Sequence, residues 1–397
     1  MSRAAEDLTL ISVDDHIVEP PTLFDNASPR LRELAPKFVH KDDGTDVWRY
    51  EGAEMPNIGL NAVAGKKPEE YGIEPTALAD IRRGCWDVAE RVQDMNRNGV
   101  LASMNFPSFV GFCGQLFSRS ADLSVGLDLL RAYNDWHIDE WCGSHPGRFI
   151  PLSVPAIWDP QLAADEVRRV AKKGCHAVTF SENPAKLGWP AIWDEAWDPF
   201  FRACEEEGTV ICLHIGSSST MLALEPGAPI DIMITLTPLN TMHAATDLVW
   251  SPVLRRYPNL KFALSEGGTG WLPYWLERID YTYQQHRHWT GQDFGDKLPS
   301  DVAREHFSFC FISDRNGVDD RHKIGIDSIT WECDYPHSDS TWPNSPEALE
   351  KQFEGVPADE VDKMSWQNAA RIYQFDPFEH RTPEQCTVAA LRAEAND

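Results

Sequence analysis

Short apolar segments alternate with longer amphipathic segments along most of this 397-residue chain. The apolar segments are rich in β-branched and aromatic residues and end in polar or turn-forming residues, which is typical of buried β-strands. Strands are predicted at residues 11–16, 100–106, 149–154, 177–180, 210–213, 261–264, 307–311 and 329–332. The chain therefore offers eight strands for a central sheet.

The segments between these strands carry apolar residues three or four positions apart, which is the spacing of an amphipathic helix. In the first of them, Asp87 and Glu90 have the spacing of a capping box, and Gly99 marks the end of the helix. Further helices are predicted at residues 121–141, 159–173, 196–206, 248–256, 271–284, 346–353 and 358–373. Alternation of this kind predicts parallel strands joined by right-handed crossovers.

Eight such units predict an α/β fold in which the strands close into a TIM-type (β/α)₈ barrel. The link between the last two strands is the least regular part of this pattern. The alternative is an open, doubly wound sheet, which usually carries a glycine-rich phosphate-binding turn after its first strand. No such turn is present here, so the barrel is the preferred prediction.

The barrel is predicted to occupy residues 1–375, with two helices at its C-terminal end. Residues 21–80 show little periodicity and many Pro, Gly, Asn and Asp residues, so we interpret them as a long insertion or lid after the first strand. Residues 376–397 are predicted to be a polar C-terminal tail on the surface.

The net charge of -26 argues against nucleic acid or an anionic membrane as the partner, because phosphate groups would be repelled. The N-terminal residues do not have the pattern of a signal peptide, and no apolar run is long enough to span a bilayer. The nine cysteines include no Cys-x-x-Cys pair, which favours reduced core thiols. A cytoplasmic enzyme with a small-molecule substrate is therefore expected.

Polar side chains with metal-binding chemistry stand at the ends of three predicted strands. Asp14 and His16 end the first strand, His214 ends the fifth, and Asp334 follows the eighth. The C-terminal ends of barrel strands meet on one rim, so these four side chains are expected to converge. Two imidazoles and two carboxylates suit zinc, iron or manganese, with a position left for water or substrate.

These residues, together with three other features, carry a resemblance to a known family. The other features are the Gly-Gly turn after Glu266, His337 in the Asp-Tyr-Pro-His sequence, and the Asn-Ala-Ala-Arg-Ile-Tyr sequence at residues 368–373. In this order they resemble the amidohydrolase superfamily, in the branch that contains aminocarboxymuconate semialdehyde decarboxylase and related decarboxylases. The resemblance implies a barrel, a divalent metal held by Asp14, His16, His214 and Asp334, and often a dimer.

One position departs from the pattern of these decarboxylases. They place a proton-handling histidine just before the Gly-Gly turn, where this chain has Glu266. Glu182 follows the fourth strand, where binuclear members of the superfamily place a bridging carboxylate. Together Glu182 and Glu266 predict a second metal site, so that one or two ions bind per chain. The alternatives are a turn residue for Glu182 and a buried carboxylate paired with an arginine for Glu266.

Two kinds of reaction remain open at this point. The preferred hypothesis is a metal-dependent hydrolase that cleaves an amide, ester or thioester bond, with Asp334 or Glu266 relaying the proton and His337 assisting the leaving group. The alternative is a non-oxidative decarboxylase of an aromatic or unsaturated acid with a single divalent metal. A barrel that binds a ligand without turnover is a third hypothesis, against which the complete ligand set argues.

The tryptophan-rich residues 189–197, together with Trp342, indicate a bulky and largely apolar substrate. An interface with a second subunit would use the same residues, as expected for a homodimer.

Overall fold

A computed structural model describes residues 3–72, 77–220, 225 and 227–395 of the chain. Its strands are β1 (Ile11–His16), β2 (Lys37–His40), β3 (Asp46–Tyr50), β4 (Ala53–Met55), β5 (Ala102–Phe106), β6 (Phe149–Ile150), β7 (Ala177–Ser181), β8 (Val210–His214), β9 (Phe262–Ser265), β10 (Phe307–Phe311) and β11 (Ile329–Trp331). Its α-helices are α1 (Pro29–Leu34), α2 (Val88–Arg97), α3 (Leu123–Asp135), α4 (Pro160–Ala171), α5 (Asp198–Glu207), α6 (Ile230–Leu236), α7 (Leu239–Trp250), α8 (Val253–Arg256), α9 (Leu272–Thr290), α10 (Pro299–His306), α11 (Arg315–Asp319), α12 (Arg321–Ile324), α13 (Ser345–Gln352), α14 (Ala358–Asp362), α15 (Asn368–Ile372) and α16 (Val388–Ala393). Within these ranges, no helix combines the length and the apolar character needed to cross a bilayer.

The predicted strands pair in the predicted parallel manner, as two sheets. One sheet has the order β1-β5-β6 and the other the order β11-β10-β9-β8-β7. An isolated parallel bridge between Ser153 and Val178 joins the sheets on one side. On the other side, the Asp334 N–H donates to the Asp14 carbonyl at 2.9 Å. Neighbouring strands follow the order of the chain, but the described residues do not show continuous strand pairing around a closed barrel.

The helix boundaries differ from the prediction mainly on the C-terminal side of β8. The chain forms α7 and α8 where one helix at residues 248–256 was predicted, because Pro252 separates the two segments. Helix α9 runs six residues further than predicted, to Thr290, and is followed by Gly291, which has a left-handed φ of 71°. Helix α10 precedes β10 and was not predicted.

The segment after β1 is more regular than the sequence suggested. It contains α1 and an antiparallel sheet of order β2-β3-β4. Trp48 on β3 stacks on Phe109 with ring centroids 4.2 Å apart, and Arg82 binds Asp94 through two hydrogen bonds of 2.6 Å. The strands were missed because each is only three to five residues long and lies between turn residues.

The C-terminal residues were predicted as a polar tail, and this is wrong for residues 388–393. They form α16, whose residues Val388 and Leu391 are buried. The N–H of Val388 donates to the Leu8 carbonyl at 2.8 Å. Gly99, with a φ of 67°, allows this contact because a Cβ atom there would lie 2.6 Å from the Val388 side chain. The end of the chain is therefore part of the core.

Candidate metal centre

The structure brings the four predicted ligands together at the C-terminal ends of the strands. Asp14, His16, His214 and Asp334, here called the ligand cluster, are each no more than 1% exposed. Ligand atoms of Asp14, His16 and His214 lie within 4.8 Å of one another, and the same holds for His16, Asp334 and His337. Two overlapping groups thus share His16.

The ligand atoms of the cluster point towards one another. The Nε2 atom of His16 lies 3.5 Å from Asp14 Oδ1, 3.4 Å from Asp334 Oδ1 and 3.2 Å from His214 Nε2. The described residues supply no hydrogen bond of acceptable geometry to either oxygen of Asp14, and the neighbour of Asp334 Oδ1 is His337 Nδ1 at 2.9 Å. Buried carboxylate oxygens without donors are costly unless a cation neutralises them. The donor set therefore fits a divalent metal ion.

The ring of His214 has the orientation that a metal ligand requires. Its Nδ1–H donates to the Ile215 carbonyl at 2.6 Å, which leaves the lone pair of Nε2 free to face the cluster. The ring also stacks on Phe112, with centroids 4.3 Å apart. Both contacts fix the imidazole before any ligand binds.

Burial and neighbouring groups shift the pKa values within the cluster. Burial, together with the nearby Asp334, raises the pKa of Asp14 well above its usual range. Burial and the neighbouring His337 lower the pKa of His16. Burial alone would raise the pKa of Asp334, but His337 and His16 outweigh it and hold that pKa below its usual range. An ionised Asp334 beside a neutral His16 is the protonation state that binds a metal.

One member of the ligand cluster and a neighbouring glutamate have an unusual backbone conformation. Glu266 and Asp334 both have a φ of 57°, in the left-handed region that residues other than glycine rarely adopt. Such strain occurs preferentially at functional sites, where the surrounding structure maintains it. Strand periodicity does not reveal this backbone conformation.

Glu266 lies at the edge of the ligand cluster. Its Oε2 atom is 3.3 Å from His214 Nε2, and its N–H donates to Glu332 Oε2 at 3.1 Å. Burial and the nearby Asp334 raise the pKa of Glu266 well above its usual range. Glu266 does not belong to either group of converging ligand atoms in the described chain. The predicted pairing of Glu266 with an arginine is not seen among these contacts.

Glu182 is buried but is engaged elsewhere. Its Oε1 atom accepts a hydrogen bond from Ser218 Oγ at 2.7 Å, and its Oε2 atom accepts one from Ser217 Oγ. The Glu182 N–H in turn donates to Ser217 Oγ at 2.9 Å. The structure therefore does not bring Glu182 together with Glu266, and the predicted second metal site has no support from these contacts.

Metal analysis tests whether Glu182, unlike His214, is dispensable for metal binding. We expect Glu182→Gln to retain the metal content of the wild type, because Gln can accept a hydrogen bond from one serine through its amide oxygen and donate one to the other through its amide nitrogen. We expect His214→Ala to lower metal affinity at least tenfold, because it removes a ligand atom. Elemental analysis after gel filtration measures both variants. Loss of one of two metal equivalents in Glu182→Gln would instead establish the binuclear site.

His337 lies where the ligand cluster meets a cavity. Its Nδ1 atom is 2.9 Å from Asp334 Oδ1, and its ring stacks on His16 with centroids 3.9 Å apart. Its side chain is 10% exposed, and its Nε2 atom has no hydrogen-bond partner in the described residues. The cavity, here called the His337 cavity, has a volume of about 300 Å³ and is lined by residues 64–66, Tyr71, His337, Ser340 and residues 342–343. A larger cavity of about 390 Å³, between α1 and α3, contains none of the predicted site residues.

One acidic residue at the site was missed by the sequence reasoning. Glu332 is 1% exposed, accepts the N–H of Glu266, and accepts the thiol of Cys310 at 2.6 Å. A glutamate at the end of the predicted strand at residues 329–332 was the available signal, since such a residue is rarely buried without a role. By accepting the N–H of Glu266, Glu332 stabilises the strained backbone at that residue.

The family of the chain follows from comparison with known proteins. The family model for amidohydrolases matches residues 47–375, so the chain belongs to the amidohydrolase family. This confirms the resemblance seen in the sequence, and the family has the α/β TIM-type barrel architecture.

Three proteins that are similar to this chain are decarboxylases by name. It is 25% identical, over 216 residues, to 2-amino-3-carboxymuconate-6-semialdehyde decarboxylase of Dictyostelium discoideum, and the match covers 53% of this chain and 56% of that protein. The chain thus aligns with little more than half the length of this curated relative. The structure of 5-carboxyvanillate decarboxylase from Sphingomonas paucimobilis matches with a TM-score of 0.63 and 22% identity, covering 93% of this chain and all of that chain. The 5-carboxyvanillate decarboxylase of Novosphingobium aromaticivorans, which has bound manganese, matches with a TM-score of 0.63 and 18% identity, covering 94% and 99%.

These comparisons correct the preferred functional hypothesis. Hydrolysis of an amide, ester or thioester was predicted from Glu182 and Glu266, but the similar proteins of named activity are decarboxylases. The hydrolase prediction is therefore wrong, and the alternative is the better supported reaction. The manganese in a similar structure and the converging ligand atoms support a divalent metal; zinc and iron gain no support.

Proposed function

We propose that this protein is a metal-dependent, non-oxidative decarboxylase of an aromatic or unsaturated carboxylic acid. The observation that carries the proposal is the Asp334–His337 pair, which joins the ligand cluster to the His337 cavity. A carboxylic acid bound there would have its carboxylate at the cluster and its carbon skeleton in the cavity. The similarity to decarboxylases supports this choice of reaction.

A divalent ion held by Asp14, His16, His214 and Asp334 would bind the carboxylate of the substrate and withdraw electron density from it. The remaining requirement is a proton. When the carbon–carbon bond breaks and carbon dioxide leaves, the ring or chain carbon keeps the electron pair and must accept one proton.

The Asp334–His337 pair supplies that proton in the proposed reaction. The Nδ1 atom of His337 is 2.9 Å from Asp334 Oδ1, so in the proposed reaction these two groups share a proton and pass it to the substrate carbon. Solvent returns a proton to the pair through the cavity, which closes the cycle. Phe106 and Phe112 pack against the His214 ring, with ring centroids 4.8 and 4.3 Å away.

We also propose that the eight parallel strands form a (β/α)₈ barrel and that residues 21–80 act as its lid. The lid assignment is supported by two hydrogen bonds, from the N–H groups of Val63 and Ala64 to the Pro336 carbonyl, at 2.9 and 3.1 Å. These bonds hold the segment against the loop that carries His337. The homodimer stays a prediction.

An assay of carbon dioxide release tests the proposed function. Wild-type protein supplied with Mn²⁺ is expected to release carbon dioxide from at least one member of a panel of aromatic and unsaturated acids that includes 5-carboxyvanillate. The variant His214→Ala is expected to be inactive, whereas His243→Ala, an exposed histidine on α7, serves as the matched control. Cleavage of esters or amides by the wild type without any carbon dioxide release would contradict the proposal.

A further inference from the structure

The loop that carries His337 is held at both ends by one buried residue. This loop, residues 335–342, is here called the His337 loop. At its start, the hydroxyl group of Tyr335 donates to Asp94 Oδ2 at 2.7 Å. At its end, the Nε1–H group of Trp342 donates to the Asp94 carbonyl at 3.1 Å. Asp94 lies on α2, outside the ligand cluster, and is 1% exposed.

Tyr335 connects Asp94 to the Asp334–His337 pair. In the sequence, Tyr335 lies between the two members of the pair, directly after Asp334. Its carbonyl accepts the N–H of His16 at 2.6 Å, and the N–H of His337 donates to the Asp334 carbonyl at 2.9 Å. The backbone from Asp334 to His337 therefore forms one turn, and a displacement of Tyr335 within it would change the separation of the pair.

Arg82 binds the Asp94 carboxylate and contacts the lid. Its guanidinium group donates to both Asp94 oxygens at 2.6 Å, and its Cζ atom lies 4.6 Å from the centroid of the Trp342 ring. A second cation, Arg97, donates to Asp94 Oδ1 at 2.9 Å. The lid packs on the same guanidinium group, because a Cβ atom at Gly65 would lie 3.4 Å from Arg82 Nη1. The lid and the His337 loop thus meet at one ion pair.

The backbone at Gly84 permits the contact between Asp94 and Tyr335. A Cβ atom at this position would clash with Asp94 Oδ2 and would lie 2.8 Å from the Tyr335 hydroxyl oxygen. Glycine is the residue that allows other groups to approach the backbone this closely. The hydrogen bond between the carboxylate and the hydroxyl group therefore depends on the absence of a side chain here.

We propose that Asp94 is a positioning residue for the reaction. Through Tyr335 it holds His337 at the distance from Asp334 that proton transfer requires, and through Arg82 it makes this distance depend on the closed lid. The proposal rests on the proposed function, because it takes the Asp334–His337 pair as the proton-handling group. A displacement of about 1 Å can slow a reaction by about 100-fold, so a small movement of the loop matters.

Hydrogen exchange followed by mass spectrometry measures the contact between lid and loop without turnover. Three amides report on it. Those of Val63 and Ala64 donate to the Pro336 carbonyl, and that of His337 donates to the Asp334 carbonyl. The amides of the buried strand β10 are measured in the same Mn²⁺-supplied sample, so that a general loss of stability is recognised.

Two substitutions weaken the contact of Asp94 with the loop. Tyr335→Phe removes only the hydroxyl group, and Asp94→Asn keeps the shape of the side chain but removes its charge. The matched control is Tyr257→Phe, because Tyr257 is also buried and its hydroxyl group donates to the Asp198 carbonyl at 3.3 Å, at the start of α5.

A further substitution tests the connection to the lid. Arg82→Met removes the ion pair with Asp94 without touching the His337 loop backbone. Its matched control is Arg83→Met, because Arg83 is 62% exposed and pairs with Asp87 instead. Arg82→Met is expected to speed exchange of the His337 amide, and Arg83→Met is expected to leave it unchanged.

We expect Tyr335→Phe and Asp94→Asn to speed exchange at the three reporting amides by about fivefold or more, and exchange in β10 by less than about twofold. We expect kcat to fall by about tenfold or more, with KM within about threefold of the wild type. Tyr257→Phe should match the wild type in each measurement. In the His337→Gln background, Tyr335→Phe should lower kcat by less than about threefold, because it acts through His337.

Three results would overturn the proposal: unchanged exchange at the reporting amides, an equal rise of exchange in β10, or a loss of kcat that persists in full in the His337→Gln background. Unchanged exchange of the His337 amide in Arg82→Met would overturn its connection to the lid. Selective exchange in a protein that releases no carbon dioxide would support the control of the loop by Asp94 and refute the decarboxylase. Carbon dioxide release with unchanged exchange would do the reverse.

Discussion

Removal of the metal with a chelator is expected to abolish carbon dioxide release and to lower the melting temperature of the protein. The reason is that Asp14 and Asp334 are fully buried, and neither oxygen of Asp14 receives a hydrogen bond of acceptable geometry from the described residues. Without a cation, these groups are desolvated and repel each other. A metal that binds only the native state stabilises it by about 4 kcal/mol when its free concentration is about 1000-fold above Kd.

Thermal unfolding at increasing Mn²⁺ concentrations measures this linkage. The melting temperature of the wild type is expected to rise steadily with the logarithm of the metal concentration. His214→Ala should flatten this dependence, whereas His243→Ala should preserve it. Full activity in protein shown by elemental analysis to be metal-free would contradict a role of the ligand cluster in the reaction.

The ligand positions were predictable from the sequence because parallel strands end at a common rim. Asp14 and His16 follow an apolar run, and His214 ends another, so their convergence required only the strand order. Asp15 faces away from the cluster, as alternation predicts, and accepts the Tyr335 N–H at 2.9 Å. The fold class and the location of the site follow from the same periodicity.

The direction in which rim residues point was not predictable in the same way. Glu182 follows a strand just as His214 does, yet Ser217 and Ser218 from the neighbouring loop hold its carboxylate. Such contacts depend on loop conformations that have no period in the sequence. The second metal site was inferred from the residue types alone, and the direction of the Glu182 side chain does not agree with it.

The choice of reaction failed for a related reason. Glu266 occupies a position where the decarboxylases that the sequence resembles have a histidine, and this difference, together with Glu182, was taken to indicate hydrolysis. In the structure, Glu266 lies at the edge of the ligand cluster. A histidine outside the cluster, His337, is in contact with Asp334. A proton-handling group can therefore come from a different strand end, so one substituted position does not define the reaction.

Replacement of Asp334 by Asn is expected to lower kcat by about 1000-fold while the fold is retained. The variant removes the charge that faces His337 at 2.9 Å, so the pair no longer holds a proton for the substrate carbon. A positioned proton donor contributes about 10²- to 10⁴-fold to the rate of a reaction. Asn suits the test because it tolerates the left-handed φ of 57° at this position better than Ala does.

Measurements of kcat and metal content on the same sample separate the two effects of this substitution. With saturating Mn²⁺ and equal metal content, the remaining loss in kcat reports proton transfer. His337→Gln is expected to lower kcat by about 100-fold, and the double variant should lose much less than the product of the two losses, because both residues act as one unit. If the losses in kcat of the two single variants multiply in the double variant, Asp334 and His337 do not share the proton. A kcat of Asp334→Asn within fivefold of the wild type would show that Asp334 has no role in the reaction.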